Sequence, residues 1–221
     1  MKKKENTKNI IMIILSMTAA FIINTLIVIA IITIDSLIPA EKVSGINNYN
    51  KNHYLNKYSG DLDSNLSIFP DKVTNMIDAT FTLSIKTNLF DSDGYIILST
   101  TYNEDNFKKE VDRLSKLTMT ISDCKNKSYT NYVKYNTKDY SLPAYITIDG
   151  FGHTYEYALI NQNTKKITYV YLAYPNTINS EYKKYLKKNK KEYLKEDTLN
   201  MYSMYNHSFD KGKTYMEYND C

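Results

Sequence analysis

An α+β domain behind one membrane-spanning helix is the fold class that the sequence predicts, on three observations. The first is an uncharged apolar run from Ile10 to Ile34. The second is a series of short segments in which apolar and polar residues alternate, the period of half-buried strands. The third is residues 103–117, where apolar residues return at helical spacing. Strands without regular βαβ alternation point to an antiparallel sheet of about five strands, accompanied by two helices.

Residues 1–9 form a basic tail, with Lys2, Lys3, Lys4 and Lys8 against Glu5. They hold most of the formal net charge of +4, so the remainder is close to neutral. That distribution removes the electrostatic footing of nucleic-acid binding. The apolar run 10–34 would make a helix of roughly 37 Å, against a hydrocarbon core of roughly 30 Å. Its hydroxyls can bond back to helix carbonyls. Asn24, near the centre, is the costliest residue in it, and reads either as a mark of helix–helix contact or as a single asparagine without a partner. The lysines before the helix, against Asp35 and Glu41 after it, predict a cytoplasmic N-terminus and residues 35–221 outside the cytoplasm. The run is too long for the apolar core of a cleaved signal peptide, and Ile38-Pro39-Ala40 is a poor cleavage site. No cysteine stands near its end, which argues against a lipoprotein anchor.

Residues 35–67 read as a flexible tether: from Glu41 onward Asn, Lys, Ser, Tyr, Asp and Gly dominate with no sustained apolar period. The extracytoplasmic domain is then 68–221. Phe81, Leu83 and Ile85 alternate with Thr82, Ser84 and Lys86, which predicts a strand. Asp91-Ser92-Asp93-Gly94 predicts a hairpin turn with Gly94 at positive φ. A calcium loop is excluded there, because Leu89 and Thr100 would fall at ligand positions. Residues 95–102 predict the next strand. Asn103 predicts a helix cap, followed by Glu104 and Asp105 where the helix dipole favours them. Phe107, Val111, Leu114 and Leu117 form the stripe that should face the sheet.

Residues 129–135 are a weaker strand. Residues 144–148, 154–160 and 166–174 predict a β-meander with turns at 149–152 and 161–164. The last strand is apolar on both faces, as a central strand would be, and Pro175 ends it. Ser180 predicts the cap of a second helix, and the tail 197–221 carries no assignable element.

Phe69-Pro70, the strand Tyr95-Ile96-Ile97-Leu98 and the helical segment 106–114 (NFKKEVDRL) together resemble small membrane-anchored, exported proteins of low-G+C Gram-positive bacteria. The resemblance covers 68–118. It implies location and host, and transfers no catalytic residue. Composition agrees with such a host: Arg113 is the one arginine among 28 basic residues, and tyrosine reaches 22. Glu110 and Arg113 read as an i, i+3 surface pair worth a few tenths of a kcal/mol.

No motif for metal, phosphate or nucleophilic chemistry is present, so no catalytic, metal or cofactor residue is singled out. His53, His153 and His207 lack ligand spacing. Cys124 and Cys221 either form a disulfide pinning the C-terminus or remain a buried residue and a terminal thiol. Tyr155/Tyr157 and Tyr169/Tyr171 would make a stacking platform if exposed, but tyrosine is also a good strand former. The lysine run 183–195, interspersed with carboxylates, reads as a solvated helix face. The expected role is non-catalytic: binding, scaffolding or sensing at the cell surface, through the sheet face or the tyrosine-rich tail. Its partners would be the bilayer, through residues 10–34, and a membrane or cell-wall protein. The alternative is a cell-envelope hydrolase whose site assembles only in three dimensions, with Glu110, Asp149 and Glu156 among the available acids.

Overall fold

The computed structural model describes residues 2–58, 66–87, 92–122, 128–151, 154–173, 184–186 and 188. The chain divides into two compact units, residues 1–39 and 40–221.

The first unit is α1 (Lys2–Leu37). Met12–Leu37, 26 residues, is long and apolar enough to cross a membrane, and none of that stretch is buried within the protein. The helix runs three residues beyond the predicted Ile34. It stops two residues short of Pro39, whose ring disfavours helical backbone at Ile38. Ser16, Thr18, Thr25 and Thr33 donate to the carbonyls of Ile13, Ile14, Phe21 and Ile29 at 2.7–2.9 Å. The helix thereby satisfies its own hydroxyls.

The second unit is α+β, built on one antiparallel sheet. Its strands are β1 (Glu41–Ser44), β2 (Met76–Thr87), β3 (Ser92–Tyr102), β6 (Lys134–Asn136), β7 (Ala144–Phe151), β8 (Thr154–Asn161) and β9 (Lys166–Ala173). They lie in the order β1-β2-β3-β9-β8-β7-β6. β4 (Thr118–Ser122) and β5 (Ser128–Tyr132) pair separately. The sheet therefore has seven strands where about five were expected. The predicted strand 129–135 is in fact two, β5 and β6, in different sheets on either side of the buried Val133. β9 occupies the centre, as its two apolar faces required.

The tether is the main correction. Residues 41–58 belong to the domain. β1 pairs with β2 from Glu41↔Ile85 to Ser44↔Thr82. Asn50 then caps α2 (Lys51–Lys57), its side chain accepting from the His53 N–H at 3.0 Å. Tyr54 and Tyr58, one helical turn apart, are buried, and Tyr54 stacks on Phe81 with ring centres 5.5 Å apart. The polar composition of this segment concealed two aromatic anchors at i, i+4 spacing.

Two turns also shift. Gly94 has positive φ (145°) as predicted, but it lies inside β3 opposite Ile85 rather than in a turn. β7 continues to Phe151 and pairs with Thr154, with register shifts at Ile146/Ile148 and Asp149/Phe151 that absorb the extra residues as bulges. The turn at 161–164 forms as expected, the Asn161 side chain accepting from the Asn163 and Thr164 N–H groups.

Both faces of the sheet are covered. On one, Phe81, Leu83, Ile96, Leu98, Ile167 and Tyr169 pack beneath α3 (Glu104–Lys116), which buries Phe107 and Leu114. On the other, Ile97, Ile146, Tyr155, Tyr157, Val170 and Leu172 pack with Tyr140 and Leu186. The predicted second helix from Ser180 lies outside the described residues, apart from 184–186 and 188.

Candidate functional site

A network of buried and half-buried polar side chains links α3 and the sheet to an irregular segment, residues 66–71. A backbone that is neither helix nor strand must find hydrogen-bond partners elsewhere when it is buried. Here side chains supply them. The Ile68 N–H donates to Glu156 Oε1 at 2.7 Å, and the Ile68 carbonyl accepts from Arg113 Nη2 at 2.8 Å. Lys51 Nζ reaches the Phe69 carbonyl at 3.1 Å, and the Tyr49 hydroxyl donates to the Pro70 carbonyl.

Arg113 is the centre of the clasp. Its Nε and Nη2 grip Glu110 at 2.6–3.0 Å. Glu110 Oε1 also accepts from the Tyr169 hydroxyl at 2.6 Å. Because the Tyr169 O–H is used in donating to the carboxylate, the Tyr102 hydroxyl, 3.1 Å away, donates to the Tyr169 oxygen. The Phe69 ring closes over Tyr169, centroids 5.8 Å apart. The chain of bonds thus runs from α3 into the sheet and back to the 66–71 segment.

Burial and charge shift the phenols and the guanidinium of this cluster. Burial, reinforced by the Glu110 charge, raises the Tyr169 hydroxyl well above the ordinary phenol range. Burial likewise raises Tyr102 and Tyr49. Desolvation alone would lower Arg113, but its bonds and charge interaction with Glu110 outweigh that and raise it. These shifts keep the three phenols neutral and the guanidinium charged near neutrality. The cluster fastens the backbone of residues 66–71.

Of the acids that the sequence made available, Glu156 bonds the Ile68 N–H directly and Glu110 is linked to the Ile68 carbonyl through Arg113; the side chain of Asp149 lies outside the described residues. The Glu110–Arg113 pair was expected on the surface, yet the Glu110 side chain is only 13% exposed and Arg113 35%. A signal was present: position 110 sits three residues after Phe107 and four before Leu114, inside the apolar stripe. Glu156 is 1% exposed. Nothing local in the sequence marks it, since its partner Ile68 is 88 residues away.

Tyr155, Tyr157, Tyr169 and Tyr171 are all at most 1% exposed, so these strand tyrosines are core and not a stacking platform. His53 is exposed on α2, its ring edge-on to Tyr54. His153, His207, Cys124 and Cys221 lie outside the described residues, as does most of the lysine run 183–195 and the tail. Among the described residues, no three His, Cys, Asp or Glu side chains converge as metal ligands would. Comparison of the chain with known protein families, with characterised proteins and with solved structures gives no match.

Proposed function

We propose that the chain is a single-pass membrane anchor, N-terminus in the cytoplasm, carrying an extracytoplasmic module that binds, scaffolds or senses without catalysis. Its setting would be the surface of a low-G+C Gram-positive bacterium. The carrying observation is α1: 26 consecutive residues apolar enough to span, none buried by the protein, behind a lysine-rich start. A surface of that size left in water would be a severe solubility defect, and a bilayer removes the defect. The lysines orient the helix by the positive-inside rule.

The non-catalytic part rests on Glu110 and Glu156. Both acids are engaged in fastening the 66–71 segment, so a hydrolase would have to draw its carboxylate pair from elsewhere. With both sheet faces covered, partner binding falls to the sheet edges. There Tyr135 on β6 is 50% exposed, its ring 4.7 Å from Tyr145, and Ile77 at a β2 bulge is 71% exposed.

Two experiments divide the proposal. Alkaline carbonate should leave the full-length protein in the membrane pellet, and protease applied to intact cells should remove a C-terminal epitope while sparing an N-terminal one. Release by carbonate, or protection of the C-terminus, would sink the anchor or its orientation. A crosslinked pull-down from native membranes should then recover a stoichiometric protein partner that Tyr135→Ser or Ile77→Ser reduces. Recovery of none, with cleavage of wall polymer by purified residues 40–221, would favour the hydrolase.

A further inference from the structure

Every hydroxyl described above in the span of α1 is satisfied by a carbonyl three or four residues back. Asn24 is the exception: its carboxamide is exposed on the helix surface and makes no hydrogen bond within the helix. It also stands at the middle of Met12–Leu37, with about 18 Å of helix to either end at 1.5 Å per residue. A side chain as short as asparagine cannot reach either interface, so snorkelling is not open to it. In hydrocarbon, an amide with two donors and an acceptor left bare is unfavourable until another polar group meets it.

From this we infer that α1 pairs with α1 of a second copy through Asn24, giving a parallel dimer in the membrane. The inference rests on the spanning reading proposed above. The choice of partner follows from topology and chemistry. Two copies inserted with the same orientation lie parallel, so a residue at the crossing point faces itself. A carboxamide is self-complementary, its N–H donating to the partner's carbonyl oxygen while its own oxygen accepts in return. A carboxylate or an ammonium facing itself would repel. The neighbouring sequence also forms a seam: Met17, Ala20, Asn24, Ile27, Ile31 and Ile34 are spaced alternately by three and four residues, the spacing of a two-helix contact. Ala20, one turn before Asn24, leaves room for the backbones to approach. A polar residue at one inward position of such a seam fixes its register.

The test uses the full chain, labelled at the N-terminal amine with donor or acceptor dye and reconstituted into phosphatidylcholine–phosphatidylglycerol vesicles. Flotation with the vesicles is checked first, and energy transfer is then followed against protein-to-lipid ratio. Labels at this end report parallel pairs. Transfer should rise to a plateau typical of pairs, Asn24→Leu should weaken the association roughly 5- to 30-fold, and Asn24→Gln should retain most of it. Asn24→Leu makes the span more apolar, so failed insertion would not explain its loss. A protein that floats yet shows only chance proximity would overturn the pairing and leave the anchor standing. Association unaffected by Asn24→Leu would overturn it too, assigning contact to another surface. Failure to float would overturn the spanning reading, and the pairing with it.

Discussion

Arg113 joins α3 to the 66–71 segment. Its planar fork grips Glu110 with two nitrogens and still reaches the Ile68 carbonyl. Lysine would keep the charge and lose that geometry. Arg113→Lys should therefore cost about 1–2 kcal/mol, and Arg113→Ala about 2–4 kcal/mol, because the alanine leaves both Glu110 and a buried carbonyl short of partners. Urea midpoints of residues 40–221 would measure both, and equal, negligible shifts would return the pair to the category of surface decoration. Spacing in the sequence revealed the pair but not its depth. A carboxylate within an apolar stripe is read as solvated until something opposite it is seen to donate, and Tyr169 is 59 residues away.

Among the elements, alternation made most of the sheet legible. β2, β3, β7, β8 and β9 follow apolar periods visible in the chain, and α3 begins at the predicted cap, where Asn103 accepts from the Asn106 N–H at 2.9 Å. β1 and α2 were hidden because each is short and mostly polar, β1 anchored by Val43 and α2 by Tyr54 and the adjoining Tyr58. A version starting at residue 66 would omit Tyr54, Tyr58 and the strand that covers Ser84 and Leu83 on β2. It should be markedly less stable than residues 40–221, with earlier thermal unfolding and a tendency to associate through the bared β2 edge. Equal melting temperatures would restore the tether. Gly94 sets a second test. A Cβ there would stand 2.0 Å from the Ser84 carbonyl oxygen, and φ is already in the region that other residues rarely adopt. Gly94→Ala should separate β2 from β3 locally and destabilise by more than about 2 kcal/mol, read by denaturant unfolding.

For the whole molecule, the abundance of tyrosine becomes a dependence on alkali. Tyr49, Tyr102 and Tyr169 have raised values in the folded state, so the fold holds their protons more tightly than the unfolded chain does. Their contribution is complete below the unfolded value of about 10 and is lost as pH rises through the folded ones. Stability should be level to about pH 9 and then fall, these three phenols alone contributing about 4 kcal/mol per pH unit once they ionise in full in the unfolded chain. Tyrosinate absorbance should rise in two stages, exposed rings first and buried ones only as the sheet unfolds. A single smooth titration would mean that these hydroxyls are open to solvent. Composition disclosed the number of tyrosines; which of them are buried depended on strand order, which composition does not carry.

That order also has a consequence in time. β3 lies against β9, and residues 103–165 separate the two in the chain. A ribosome delivers the β2–β3 hairpin first and then takes roughly 3–12 s, at about 5–20 residues per second, to supply the strand that completes its open side. Through that interval Ile96 and Leu98 have no β9 to lie beside, and a neighbouring nascent chain offers the same edge. The vulnerable period of this protein is therefore its own synthesis, and its yield should respond to translation rate and to holding chaperones more than to the stability of the finished fold.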